Sequence, residues 1–153
     1  MEICSAEDIL MFINNQGRIY FGQMAQGDRA ATQTEIDDYN LNQARATQLD
    51  LINKGFNNQA YGLVAFKGTT FQADEESRAR LLSTLAAWTA TTLPAGFFWT
   101  DSLNNPVPMT YAELQNLLAT GAGQFFAAFQ HLQTQKAAVN NATTLMDIQK
   151  VVW

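Results

Sequence analysis

The sequence is short of most of the residues from which reactive sites are built. Among its 153 residues are one cysteine, Cys4, and one histidine, His131. A single cysteine excludes an internal disulfide framework and suits a reducing compartment. Cys4 has no basic neighbour to activate its thiol. One Cys and one His cannot supply a tetrahedral zinc set. A serine triad would have to use His131, and no G-x-S-x-G elbow is present. Positive charge is also scarce: the formal net charge is −5 and the pI is about 4.6. A nucleic-acid or anionic-membrane surface needs a basic face, so neither partner is expected. Unbroken apolar runs such as Ile9 to Ile13 are too short to cross a bilayer. Met1 is followed by Glu2, Glu7 and Asp8, so no secretory signal is expected.

What is present reads as an α+β domain. The length fits about one domain, which would bury roughly 70% of its unfolded surface. At the centre, Tyr61 to Arg80 predicts a hairpin feeding a helix. Gly68 offers the positive φ of a tight turn between an apolar run ending at Phe66 and Thr69-Thr70-Phe71. Asp74 is the expected N-cap, with Glu75 and Glu76 where the helix dipole favours anions. The helix then runs to about Thr91, with Leu81, Leu82, Leu85 and Trp88 on one face.

Upstream, residues 1–33 predict a small β segment: two apolar runs, Ile9 to Ile13 and Arg18 to Phe21, flank the turn cluster Asn14 to Gly17, and a loop follows to Gln33. Thr34 is the expected cap of a polar helix over 34–55, ending at Lys54-Gly55. Its best seam is Leu41, Ala44, Gln48 and Leu51, too thin for a strict heptad. Two readings stay open for this helix: a solvated connector, or a stalk that self-associates through Leu41 and Leu51.

Residues 56–153 predict a small antiparallel sheet packed by two amphipathic helices. Phe97 to Trp99 and Val107 to Met109 flank the turn cluster Asp101 to Asn105, and Pro106 and Pro108 confine the second strand to an edge. Thr110 and Glu113 form a capping box for a long helix striped by Leu114, Leu117, Leu118, Phe125, Phe129 and Leu132. Gly121 and Gly123 would each cost that helix about 1 kcal/mol against alanine, which suggests a bend or a close crossing. Thr143 or Thr144 starts a last turn. Aromatics are in excess, and either they form an ordinary core or some of them, Phe126 and Trp153 first, meet another chain. No set of residues points to a cofactor, a metal or a catalytic centre.

Two stretches carry a resemblance. The first comprises Ala65 to Arg78 (AFKGTTFQADEESR), FFWTD, VPMTYAEL and ATTLMDIQ. It resembles an uncharacterised domain family of tail-region proteins in tailed bacteriophages. The second, INNQGRIYFG followed by GDRAATQTEI, is similar to the start of phage tail-fibre assembly and accessory proteins. Asp74 and Arg78 fall on the family motif A-D-x-x-S-R, which implies a cap and a buried or surface pairing partner. The resemblance implies a non-enzymatic component of a tail, baseplate or fibre, located in the virion and made in the host cytoplasm. It would act by homo-oligomerising and docking to other tail proteins. The alternative it implies is an assembly chaperone that binds the fibre transiently.

Overall fold

A computed structural model describes residues 10–153; Cys4 and Ile9 lie outside them. Strands β1 (Met11–Ile13), β2 (Ile19–Phe21) and β3 (Arg29–Ala30) form an antiparallel sheet in the order β2-β1-β3. The expected hairpin is there, and β3 adds a strand within the segment expected to be loop. Tyr20 donates from its hydroxyl to Asp28 at 2.7 Å and so draws the returning chain alongside.

Helix α1 (Gln33–Ala60) follows. Its cap is Thr32, not Thr34: Thr32 accepts from the Glu35 amide, and the Glu35 carboxylate accepts from the Thr32 amide at 2.9 Å. Both threonines have a carboxylate three residues on, Glu35 after Thr32 and Asp37 after Thr34, and the longer glutamate is the one that closes the box. Nor does α1 stop at Gly55. The indole of Trp153 occupies the space a side chain at 55 would fill, so Gly55 serves a close approach in the helix interior. The expected boundary at residue 55 therefore falls inside α1.

Tyr61 is the C-cap of α1, which leaves β4 (Val64–Phe66) and β5 (Thr69–Phe71) as the central hairpin. Lys67 and Gly68 both hold positive φ, 51° and 77°, the signature of a type I′ turn. Asp74 caps α2 (Glu75–Ala87), accepting from the Ser77 amide at 2.8 Å. The helix ends four residues before the expected Thr91. The hydroxyl of Thr92 accepts from the Thr89 amide at 2.8 Å, and such local bonding competes with the helical ladder.

Strands β6 (Phe98–Thr100) and β7 (Pro106–Pro108) pair antiparallel. Bonds from Met109 N–H to Phe97 O and from Asp101 N–H to Asn105 O flank the pair. Both prolines thus fall at positions where the ladder needs no N–H. Thr110 and Glu113 then close the capping box of α3 (Tyr111–Asn141), and Thr144 caps α4 (Leu145–Lys150).

The helices α1 and α3 run antiparallel and link two cores. The first gathers Val64, Phe71, Ala73, Leu81, Met109, Leu114 and Leu117 under the two hairpins. The second gathers Ile52, Leu132, Val139, Ala142 and Ile148 between α1, the far half of α3 and α4. Phe71, Ile52, Leu114 and Ile148 are fully buried, each contributing about 1.5–3 kcal/mol.

Candidate functional site

The most elaborate side-chain arrangement lies where α1 ends against α3. Neither long helix carries a basic residue in its last turn, so its terminal carbonyls need a cation from elsewhere. Arg78, on α2, donates through Nη2 to the carbonyl of Ala60. Its guanidinium also lies 5.3 Å from the ring centre of Tyr61 and 5.4 Å from that of Phe125. Arg78 Nε passes over Gly121, where a Cβ would meet it at 3.8 Å, an ordinary van der Waals distance that does not itself require glycine. Arg45, on α1, does the same for the other end of the molecule, donating through Nη2 to Ala142 O at 2.7 Å. The sequence reading missed Arg45 altogether, because its acceptor lies far along the chain. The expected pairing partner of Arg78 is a carbonyl and two rings.

Aromatic side chains extend this junction. Phe56 meets Tyr61, Phe125 and Trp153 edge-on, with centroids 6.3, 5.7 and 6.3 Å apart. Trp153 also meets the exposed ring of His131 at 4.6 Å. The chain's own helices thus tie down the C-terminal tryptophan. Phe126 stands apart, 59% exposed on the far side of α3. Leu41 is half-buried against the second core, Gln48 donates to the Val151 carbonyl, and Leu51 is 50% exposed. The four residues expected at a partner surface are therefore not brought together. The seam expected on α1 is mostly engaged within the chain.

Four carboxylates are committed to structure. Glu113 is held down at about 2 by Lys67, whose Nζ lies 2.7 Å away, and by the Thr110 cap. Glu35 is held at about 2 by Arg29 and then by Thr32. Asp74 lies below its usual value through the Ser77 amide. Asp101 does so chiefly through the Asn105 amide. Buried Asp101 also accepts from Leu103 N–H and Thr69 Oγ1, which ties the β6–β7 turn to β5. A carboxyl poised as a general acid needs the opposite shift. Among the described residues, no three His, Cys, Asp or Glu side chains form a cluster able to hold a metal. No helix of the described residues is long and apolar enough to cross a membrane.

Two open grooves flank the β6–β7 hairpin. One, of about 520 Å³, runs between Lys67, Pro94, Phe97 and Tyr111. The other, of about 350 Å³, lies between Arg80, Thr84, Phe98 and Trp99. Both are apolar in part; the first holds the Lys67–Glu113 ion pair and the second Arg80.

No curated protein and no solved structure matches the chain. One family model does, over residues 37–151, from the first turn of α1 through α4. With both cores and the two-arginine junction inside that span, the chain belongs to the family described as a domain of unknown function, DUF4376.

Proposed function

We propose that this protein is a non-catalytic structural component of a bacteriophage tail, baseplate or tail-fibre apparatus, which acts by associating with itself and docking to other virion proteins. The phage context rests on the sequence resemblance of the hairpin-to-helix segment and of the opening hairpin. The association rests on surface area. A folded monomer of 17.0 kDa exposes about 7,700 Å², whereas this chain exposes 10457 Å². Even with residues 1–9 counted at the area of an unfolded segment, about 1,400 Å², an excess of about 1,350 Å² remains. A standard interface removes about 800 Å² from each partner. The excess arises because the two cores are strung along a helix pair, not gathered into one sphere.

Proteomics of purified particles tests the assignment. A virion component appears at a fixed copy number relative to other tail proteins. A chain absent from particles that co-purifies with a fibre protein from infected cells is the assembly chaperone instead. Absence from both overturns the reading.

A further inference from the structure

Helix α3 is the longest element of the chain, and its outward side is unlike the rest of the surface. Of its 31 residues only Glu113 and Lys136 carry a full charge, and both are half-buried. Rotation by 100° per residue turns Glu113 away from that side and puts Lys136, three residues after Gln133, at its C-terminal end. The outward side is read by Gln115, Ala119, Ala122, Phe126, Phe129 and Gln133, all exposed. Their steps of four and three are those of a coiled-coil seam. The exposed sides of the other helices differ: α1 shows Asp37, Asp38, Asp50 and Lys54, and α2 shows Glu75, Glu76 and Arg80.

We infer that the outward side of α3 is the surface through which two copies of this chain pack on each other, which rests on the association reading above and gives it a place. Three observations favour a second copy as the occupant. The chain carries a net charge of −5, so two copies repel wherever their acidic faces meet, and this side lets them approach with no carboxylate to bury, its one charge being Lys136 at the end of the stripe. The seam is also complementary to itself. A two-fold axis near Phe126 sets Phe129 of one copy over Ala122 of the other, and Gln133 over Ala119. Phe129 and Gln133 of one half then meet alanines of the other, with Lys136 over Gln115 at the ends, so the same patch serves both copies as an isologous contact requires. Finally, a helix of this length spans about 46 Å, and the surface excess exceeds the share each chain gives to a standard interface.

Sedimentation or light scattering of the full chain tests this. The expected wild-type mass is that of a dimer. Ala122→Glu and Phe126→Glu each place a carboxylate on the seam and weaken the dimer at least about 30-fold, the loss expected at an interface hot spot. Circular dichroism should be unchanged, because Phe126 is already 59% exposed and nothing packs beyond Ala122. Leu103→Glu, on the 77%-exposed β6–β7 turn, leaves the mass unaltered. A monomeric wild type, or a dimer that survives Ala122→Glu, overturns the inference. Should Phe126→Glu unfold, Ala122→Glu decides alone. A monomer present in particles would sink the seam and leave the tail assignment standing, while a seam-dependent dimer found in no particle would do the reverse.

Discussion

Gly55 and Gly123 are both helical glycines, yet they serve opposite ends. In an open helix interior, glycine costs about 1 kcal/mol against alanine. Nothing lies within 4 Å of a side chain placed at 123, whereas one at 55 would overlap the Trp153 indole and stand 2.6 Å from its Cβ. Gly123→Ala is therefore expected to stabilise the monomer fold by up to about 1 kcal/mol. Gly55→Ala gains the same propensity but must displace an indole held by Phe56 and His131, and overpacking of that kind costs about 1–3 kcal/mol. Its net effect is destabilising, and the Trp153 indole N–H resonance moves while those of Trp88 and Trp99 stay. Denaturant melts of the two variants read the difference directly. Equal stabilisation by both would mean that the tryptophan is not seated on α1. No sequence pattern exposes this contact, since the two residues are separated by most of the chain. A glycine after a lysine carries the same local signal as a helix end.

Among the elements, helix starts were legible and helix ends were not, for a physical reason. A cap is made within three residues, so Asp74 for α2 and Thr110 with Glu113 for α3 could be read from spacing alone, and the cap of α4 was narrowed to Thr143 or Thr144. For α1 the choice between Thr32 and Thr34 turned on where the glutamate stood. The ends of α1 and α3 are satisfied by Arg78 and Arg45 from other elements, and Phe126 and Trp153 were singled out together although one faces outward and the other inward. The start of α3 also has a charge dependence that can be measured. Glu113 titrates at about 2 in the fold against an ordinary 4.5, first because of Lys67 and then because of Thr110. A carboxyl lowered by folding contributes stability that is complete above about 4.5 and is lost as pH falls toward about 2. Lys67→Met is expected to raise the Glu113 value toward 4.5, so that the stability lost on acidification shrinks and the loss is complete at a higher pH. Carbon-13 titration of the side-chain carboxyls would show it, with Glu35, held by Arg29 at the other end of the fold, unchanged. A Glu113 that still titrates near 2 in the variant would assign the whole effect to the Thr110 cap.

At the scale of the molecule, the question is whether two cores make one folding unit. A helix that crossed between them on its own would allow each to melt separately, as a solvated connector implies. Here both long helices are shared: α3 buries Leu114 and Leu117 in the first core and Leu132 and Val139 in the second. The gap is bridged by Phe56, Tyr61, Phe125 and Arg78, whose rings and guanidinium belong to three helices and the α1 C-cap. Melting either core would free half of α3 and uncap one end of α1 or α3, so the two are coupled through helix continuity as well as through contact. Leu114→Ala and Ile148→Ala remove fully buried side chains from opposite cores and should each cost about 2–5 kcal/mol. Hydrogen exchange is the measurement that separates coupled from independent cores. In either variant, the slowest amides of both halves of α3 should lose protection by the same factor. Independent cores would instead show the loss confined to the half that carries the substitution. The N-terminal sheet is the exception expected on the same grounds. Its described ties to α1 are the Phe21–Tyr39 ring contact and the exposed Arg29–Glu35 pair, so its amides should open at lower free energy and ignore both substitutions.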